Sequence, residues 1–347
     1  MSSSEKASRS AYIKLLRPRQ WTKNLIAFAP ALFAGQLTRP DVLLHVSVCV
    51  LSLCAVSGSV YVFNDILDVE GDRKHPTKCK RPIAAGQISV QAAVTVGLLA
   101  ILVSFLLAYL VRPALCLVIL AYLLLQAAYV TRLKHRVILD VFCIASGFVL
   151  RALAGAAAAS ASGSFILDLL PAGILPSLPS LHSLHSLPGA RGGHEIYLSS
   201  WFLICTSLGS LFLALEKRRQ EFRALGADAA HHRKVLGKYS LSLLDRMEAV
   251  IVPSLVTSYC LYCFNSAYGS WMMITIPPVL YGVLRYLVLS ERDTSTGSPE
   301  EVLLKDRPIQ NAVLIWVFAC FLVVYGHIET YLKFIVHAID SLRFRLY

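Results

Sequence analysis

Long apolar runs recur along almost the whole chain, and short polar loops separate them. A helix needs about 20 mostly apolar residues to cross the hydrocarbon core of a bilayer. The pattern therefore predicts about nine membrane-spanning helices. The predicted spans are 22 to 38, 41 to 62, 90 to 111, 113 to 131, 139 to 159, 198 to 215, 248 to 267, 270 to 290 and 309 to 332. Pro30 lies inside the first span, so that helix is expected to be kinked or tilted.

The composition indicates an all-α integral membrane protein. Of the 347 residues, 56% are hydrophobic and only 16% are charged, whereas soluble domains carry about 25% charged residues. No long polar interval divides the apolar runs, which predicts a single membrane domain over residues 1–347. The polar start of the chain lacks a small-residue cleavage site, so the first helix is expected to be retained.

One stretch, residues 160–197, is of low complexity and repeats the letters PSL and HSL. Its prolines exclude a regular spanning helix, so it is predicted to be an insertion on the outer side of the membrane. Its His182 and His185 are interpreted as loop residues and not as metal ligands. Cys260 and Cys263 form a CxxC inside an apolar run, where cysteines act as small hydrophobic residues.

Basic residues collect in alternate loops. Of the 33 Lys and Arg residues, 25 lie in the amino-terminal segment and in the stretches 64–89, 132–138, 216–247 and 291–308. By the positive-inside rule these segments, including the amino terminus, face the cytoplasm. Topology explains only part of the formal net charge of +12. Nucleic-acid binding is disfavoured because the charge is divided among short loops, so a small polyanionic substrate fits better.

The second predicted span ends in the acidic sequence NDILDVEGD. Asn64, Asp68 and Asp72 are spaced i, i+4, i+8 and would share one helix face, with Asp65 beside them. Clustered carboxylates repel one another unless a cation intervenes. Magnesium binds hard oxygen ligands, often one or two carboxylates together with substrate phosphates. The pattern therefore predicts a magnesium diphosphate site. The alternative is a solvated helix end whose acids pair with the basic residues that follow.

Two further features favour the diphosphate site over the solvated helix end. A basic run that includes Lys78 and Arg81 follows the acids and is suited to binding phosphate oxygens. The sequence YVTRLKHRVILD, between the fourth and fifth spans, brings Tyr129, Lys134 and Asp140 to the same side of the membrane.

Arg151 lies inside the fifth predicted span, about three turns after Asp140. Ionisable groups inside membrane spans are functional candidates because burying them without a partner is costly. Arg151 is therefore a candidate for a central cavity. A structural pairing with a helix carbonyl or with another acid is the alternative.

These motifs resemble those of a known family. NDILDVEGD is similar to NDxxDxxxD, the first aspartate-rich motif of the UbiA superfamily of intramembrane prenyltransferases, and the resemblance extends along nearly the whole chain outside 160–197. Most members carry a second motif with paired aspartates, where this chain has YVTRLKHRVILD. That departure, together with RPRQWTKN, DRKHPTKCKRPIAAG, EKRRQEF and LLKDRP, resembles the branch of decaprenyl-phosphate phosphoribosyltransferases.

The resemblance implies a helical bundle around a central cavity open to the cytoplasmic side of the cell membrane. It implies transfer of the 5-phosphoribosyl group from phosphoribosyl pyrophosphate to a polyprenyl phosphate, with release of pyrophosphate, in the synthesis of the arabinose donor of the cell envelope. Mg²⁺ would be held by Asn64, Asp68 and Asp72, with Asp65 assisting. By the resemblance, Lys78, Arg81 and Lys134 would neutralise phosphate oxygens, and Lys23 and Tyr61 would contact the donor, with Lys305 and Arg307 as weaker contacts. Asp140, Tyr129 and Arg151, selected above from their positions, complete the predicted site.

Two other functions compete with this hypothesis. An ordinary superfamily member would move a prenyl group from its diphosphate to an aromatic or quinone acceptor, but it would carry a second aspartate pair. A cation-coupled transporter would place acids at the bilayer midplane or show inverted repeats, whereas these acids collect at one face. The expected partners are the two substrates and membrane lipid, with no nucleic acid. Assembly into a homo-oligomer is left as an open alternative.

Overall fold

A computed structural model describes residues 9–74, 77–160, 200–225, 238–266, 268–292, 302 and 305–326. Every regular element in these ranges is a helix. The predicted insertion, from residue 161 onward, lies outside the described residues. The described residues divide into two compact units, the first formed by those in 9–31 and 36–160, and the second by 32–35 and those from 200 to 326.

We number the α-helices in chain order. Those up to residue 160 are α1 Arg9–Leu15, α2 Ala29–Phe33, α3 Pro40–Leu67, α4 Val69–Lys74, α5 Val90–Val111, α6 Pro113–Thr131 and α7 Leu139–Ala159. Those after it are α8 Ser200–Leu225, α9 Leu241–Phe264, α10 Ile276–Arg292 and α11 Arg307–Tyr325. The 3₁₀ helices are Pro18–Phe28, Lys78–Lys80, Leu133–His135 and Gly269–Thr275.

Eight helices among the described residues are long and apolar enough to cross a membrane. The chain is therefore a multi-pass membrane protein, but the predicted count of nine is not confirmed. The difference is the first predicted span, 22 to 38, which consists of the 3₁₀ helix Pro18–Phe28 followed by the short α2. Pro30 explains the change, because proline lacks an N–H and clashes with the preceding helical turn. It is tolerated here in the first turn of α2.

The sixth predicted span was too short. The sequence pattern ended it at residue 215, whereas α8 continues to Leu225. The helix thereby includes the charged sequence EKRRQEF, whose Glu216, Arg218 and Arg219 are buried. The hydropathy pattern placed these residues in a loop because charged residues lower the hydropathy of a segment. Ion pairs among them offset the cost of their burial.

In the first unit, α3 is the central helix and packs against α5, α6, α7 and the 3₁₀ helix Pro18–Phe28. Small residues allow the close approach. Ser52 donates to the Ser104 carbonyl at 2.8 Å between α3 and α5, and a side chain at Gly155 of α7 would overlap the Ala27 carbonyl. Such contacts are typical of membrane helices, which gain little from the hydrophobic effect when they associate.

Helix α1 covers the end of α3 that carries the acidic motif. Ala11 and Leu15 of α1 are buried in one cluster with Val62 of α3, together with Ile88 and Ala93. This packing fixes α1 beside the acids and brings Arg17, two residues after Leu15, towards them.

The second unit has its own core, in which Phe212, Leu255 and Tyr286 are buried against one another. Asp306 caps α11 by accepting a hydrogen bond from the Ile309 N–H at 2.9 Å. Arg285 of α10 also donates to Asp306 at 2.9 Å. The hydrogen bond from Arg285 lowers the pKa of Asp306 below its usual value, and the Ile309 N–H and the charge of Arg285 add to this effect. Burial of Asp306 raises the pKa, but by less than the hydrogen bond from Arg285 lowers it.

Candidate functional site

The acidic motif keeps its helical register across a small break between α3 and α4. The Asp68 N–H donates to the Asn64 carbonyl at 3.0 Å, and the Asp72 N–H donates to the Asp68 carbonyl at 2.9 Å. Asn64, Asp68 and Asp72 therefore follow one another at one-turn intervals, as their spacing predicts. Their side chains nevertheless differ in their partners.

Two of the acids form a compact ion cluster with two arginines. Asp65, which is 2% exposed, pairs with Arg17 and lies 3.1 Å from Nη1 of Arg81. The same Arg81 nitrogen lies 2.5 Å from Asp72, which is also buried. Two carboxylates and two guanidinium groups balance in charge, and the hydrogen bonds are charge-assisted. The cluster ties Arg17, which follows α1, and Arg81, which follows the 3₁₀ helix Lys78–Lys80, to the end of α3 and to α4.

Asp68 faces a different partner. The Lys134 Nζ lies 3.1 Å from one carboxylate oxygen of Asp68 and 3.4 Å from the other. Lys134 belongs to the 3₁₀ helix Leu133–His135, which follows α6. The Asp68 side chain is 41% exposed, whereas that of Lys134 is 16% exposed. Asp68 is thus the most accessible of the three aspartates in the motif, and it joins the two motifs that the sequence predicts to lie together.

Arg151 is 5% exposed near the middle of α7 and contacts only neutral groups. Its Nε donates to the Asn24 side-chain oxygen at 2.8 Å, Nη1 to the Gly147 carbonyl at 2.9 Å, and Nη2 to the Tyr122 hydroxyl at 2.7 Å. The guanidinium also lies over the Tyr122 ring, 4.8 Å from its centre. The expected helix carbonyl is present, and none of these partners is an acid.

The other predicted site residues have varied surroundings. Tyr61 lies beneath the Arg17 guanidinium, which is 4.9 Å from the ring centre. Lys23 is partly buried beside Asn24, and Tyr129 is partly buried near the end of α6. Asp140 is fully buried at the start of α7, and Lys78 is exposed. Lys305 and Arg307 are exposed residues of the second unit, on either side of Asp306.

Backbone strain marks two residues close in sequence to the predicted site. Among the described residues, the non-glycine residues with positive φ are Arg17 at 52° and Ile138 at 70°. Such conformations cost about 1–3 kcal/mol and persist where the surrounding structure enforces them, often at functional sites. Arg17 holds Asp65, and Ile138 precedes Asp140 by two residues. Arg17 was not among the predicted site residues, although it lies in the sequence RPRQWTKN.

A second group of ion pairs surrounds Arg219 in α8, and it was also not selected from the sequence. Arg219 lies 2.9 Å from Asp245 and 3.0 Å from Glu291, and it pairs with Glu248. Glu216 is fully buried with an oxygen 3.4 Å from Arg219. The density of charged residues in EKRRQEF is the sequence feature that could have indicated this group of ion pairs. In the sequence it served only as part of the family resemblance.

Residues 24–302 match the UbiA prenyltransferase family. The chain belongs to that family.

Curated relatives of this UbiA-family chain cover nearly its whole length. A decaprenyl-phosphate phosphoribosyltransferase of Mycolicibacterium smegmatis is 33% identical over 323 residues, which span 89% of this chain and 90% of the relative. A decaprenyl-phosphate phosphoribosyltransferase of Corynebacterium glutamicum is 33% identical over 323 residues, which span 90% of this chain and 86% of the relative.

Solved structures confirm the fold. A UbiA homolog from Archaeoglobus fulgidus bound to GPP and Mg²⁺ has a TM-score of 0.64 and 17% identity, over 90% of this chain and 99% of that chain. The same homolog bound to Cd²⁺ has a TM-score of 0.61 and 17% identity, over 90% of this chain and 99% of that chain. The predicted all-α membrane bundle is thus confirmed as a UbiA-family fold.

Proposed function

We propose that this chain transfers the 5-phosphoribosyl group of phosphoribosyl pyrophosphate to a polyprenyl phosphate and releases pyrophosphate. The similarity to decaprenyl-phosphate phosphoribosyltransferases over nine tenths of their length supports this function. The observation that carries it is the Asp68–Lys134 pair, because it joins the acidic motif to the segment in which this chain departs from paired aspartates. The Lys and Arg distribution supports a cytoplasmic amino terminus and a site on the cytoplasmic face of the cell membrane.

The residues at the end of α3 fit magnesium bound together with a diphosphate. The described residues contain no group of three His, Cys, Asp or Glu side chains able to hold a metal alone. Magnesium commonly binds through only one or two carboxylates, with substrate phosphates and water completing its shell. Asp68 offers an accessible carboxylate, and Asn64 lies one turn before it. Asp72 would join them only by giving up its contact with Arg81.

When bound, the metal would act as a Lewis acid that stabilises negative charge on the departing pyrophosphate. Lys134, held beside Asp68, would bind oxygens of that leaving group as a compact positive charge. Arg17 and Arg81 would keep Asp65 and Asp72 in place and so position the end of α3. These roles are mainly positioning and electrostatic stabilisation.

The acceptor needs no strong base from the protein. An oxygen of the polyprenyl phosphate, already ionised near neutral pH, forms a bond to C1 of the ribose. The C1–O bond to pyrophosphate breaks, and pyrophosphate leaves with the electron pair. The ribose passes through an oxocarbenium-like state, so a preorganised set of charges is the main requirement.

The test supplies purified protein in detergent with phosphoribosyl pyrophosphate and a polyprenyl phosphate, with Mg²⁺ or with EDTA. We expect a ribosylated lipid and pyrophosphate only with Mg²⁺. A parallel reaction contains a prenyl diphosphate and an aromatic acceptor. If only that reaction gives a product, the chain is an ordinary prenyltransferase and the proposal is wrong.

A further inference from the structure

Arg151 joins three helical elements inside the first unit. It belongs to α7, and its guanidinium donates to Asn24 of the 3₁₀ helix Pro18–Phe28 and to Tyr122 of α6. All three side chains are buried. The planar guanidinium fork holds its partners in fixed directions, which a single ammonium group cannot do. The Arg151 contacts therefore fix α6, α7 and the 3₁₀ helix relative to one another.

Asn24 extends this connection to α3. Its side-chain oxygen accepts from Arg151, while its nitrogen donates to Cys54 at 3.2 Å and to Ser57 at 3.4 Å. A primary amide can accept and donate at the same time, so one side chain joins α7 to α3. We call the residues Asn24, Ser57, Tyr122 and Arg151 the Arg151 layer.

The Arg151 layer lies about three helical turns from the ends of the helices that carry the predicted site. The pairs are Ser57 with Asp68 at the end of α3, Tyr122 with Lys134 after α6, and Arg151 with Asp140 in α7, separated by 11, 12 and 11 residues. Eleven residues of α-helix span about 16 Å. The layer thus links, at one depth, three helices whose ends carry site residues.

The 3₁₀ helix Pro18–Phe28 depends on such a link. It has 11 residues, although 3₁₀ helices longer than about four residues are uncommon because their hydrogen bonds have poorer geometry. Contacts outside the segment must therefore hold it in place, and Asn24 is its buried polar residue. Lys23 directly precedes Asn24, and Arg17, which pairs with Asp65, directly precedes the 3₁₀ helix. Anchoring Asn24 therefore also fixes the segment that carries these two cations.

The pair Ser52 and Ser104 offers a contrast, because it joins α3 to a helix without site residues. The Ser52 hydroxyl donates to the Ser104 carbonyl of α5 at 2.8 Å, and both side chains are fully buried. None of the predicted site residues lies in α5. Loss of this hydrogen bond would weaken the packing of α3 without breaking its links to α7 and the 3₁₀ helix.

We propose that Arg151 is a positioning residue for the transfer reaction. Through the other members of the Arg151 layer it holds Asp68 and Lys134 at the spacing that the reaction requires. A displacement of about 1 Å far from the reacting atoms can lower a rate about 100-fold, and a fully hydrogen-bonded buried network specifies one arrangement. Neutral groups accommodate the charge, since the guanidinium lies 4.8 Å from the Tyr122 ring centre and 5.4 Å from that of Phe148. This role rests on the proposed function for the reaction that it serves.

The test measures stability and kinetics on the same purified variants. Tyr122→Phe removes one hydrogen bond of the Arg151 layer and keeps the ring, whereas Ser52→Ala removes the control hydrogen bond. Both are expected to lower the unfolding temperature. Only Tyr122→Phe should lower kcat, by about tenfold, with the KM for phosphoribosyl pyrophosphate changed less than about twofold, because positioning acts in the transition state. Equal kcat values in the two variants would overturn the positioning role.

Arg151→Lys keeps the charge and loses the guanidinium fork. We expect its kcat to fall by about 100-fold, because a lysine cannot hold the partners in three directions. A near-normal kcat would show that the charge alone suffices and would overturn the positioning role. A raised KM for phosphoribosyl pyrophosphate at unchanged kcat would make Arg151 a substrate contact instead. If Arg151→Lys does not fold, Tyr122→Phe and the two Asn24 variants decide.

The two Asn24 variants test the link to α3. Asn24→Leu removes both of its connections, so we expect a loss of about 100-fold in kcat. Asn24→Asp still accepts from Arg151, and the Ser57 hydroxyl can donate to the new carboxylate, so kcat should stay within about threefold of the unchanged protein. Equal losses in the two variants would contradict a link through residue 24.

Amide hydrogen exchange gives a result that does not depend on turnover. In Arg151→Lys and Tyr122→Phe we expect faster exchange in residues 64–72 and 131–140, with no change there in Ser52→Ala. If the unchanged protein forms no ribosylated lipid, the proposed function is wrong, whereas this exchange pattern would still establish the link between the Arg151 layer and the acidic motif. Normal formation of ribosylated lipid by the layer variants, with unchanged exchange, would keep the reaction and refute the positioning role.

Discussion

Lys134 and Asp68 form an ion pair although 66 residues separate them in the chain, with Nζ 3.1 Å from the nearer carboxylate oxygen. The pair links the end of α6 to the end of α3. Asp68 is the most accessible acid of its motif, whereas Lys134 is mostly buried. Under the proposed function, the Asp68 carboxylate would therefore turn to the metal while Lys134 stays in place.

Asp68→Asn tests the acid itself. The substitution keeps size and shape but removes the charge, so we expect kcat to fall by about 100-fold to 1,000-fold, as for loss of one transition-state contact. The fold should be retained, because the side chain is 41% exposed. Asp41→Asn is the control, since Asp41 is an exposed acid of the same helix that pairs with Arg39. A near-normal rate in Asp68→Asn would remove this residue from the mechanism.

Lys134→Met is expected to lower kcat/KM for phosphoribosyl pyrophosphate by about 100-fold if Lys134 stabilises the leaving group. Because Asp68 and Lys134 act on the same group, the double variant should be far less impaired than the product of the single effects. Steady-state kinetics on the unchanged protein, the two single variants and the double variant measure this coupling. Strictly additive losses would show that the two residues act separately.

Arg81→Met tests the ion cluster as a structural element. It leaves the buried Asp72 without its arginine and Asp65 with Arg17 alone, so we expect a loss of about 1–3 kcal/mol in stability. Arg73→Met is the matched control, because Arg73 forms an exposed pair with Glu70 and such pairs contribute about 0–1 kcal/mol. Thermal unfolding in detergent compares the two. Equal effects would show that the cluster adds no stability.

Gly155→Ala tests the close packing of α7. The added methyl group would overlap the Ala27 carbonyl, so the helices must move apart, at a cost of about 1–3 kcal/mol. Gly282→Ala in α10 is the control, because nothing lies within 4 Å of a side chain there. That change should leave the unfolding temperature equal or slightly higher, since alanine favours helix over glycine.

Asp306→Ala tests the start of α11. Loss of the cap is expected to cost about 1 kcal/mol near neutral pH. The pKa of Asp306 is lowered in the folded protein, so its contribution is fully present above the ordinary aspartate pKa of about 3.9. It is lost as the pH falls through the lowered folded value. The difference in unfolding temperature between the two proteins should therefore shrink in acid, and a constant difference would contradict this assignment.

The sequence pattern predicted the helical class and most of the spans, including Val90–Val111 and Pro113–Thr131 with their observed bounds. It also predicted that Lys134 and the acidic motif lie together. It missed Arg17, because nothing in the local pattern of RPRQWTKN indicates a partner 48 residues away. It also treated the aspartates as one set, whereas Asp65 and Asp72 bind arginines and Asp68 binds Lys134.

The membrane class and the acidic motif follow from the sequence alone, because a bilayer requires about 20 consecutive apolar residues and a helix repeats its face every three to four residues. Both are local properties. Only the tertiary structure decided which carboxylate of the motif is accessible, that the described partners of Arg151 are neutral, and that Pro30 lies in the first turn of the short α2. Those outcomes depend on contacts between distant segments, such as Arg151 with Asn24, and on whether a partner lies within hydrogen-bond distance of a buried charge.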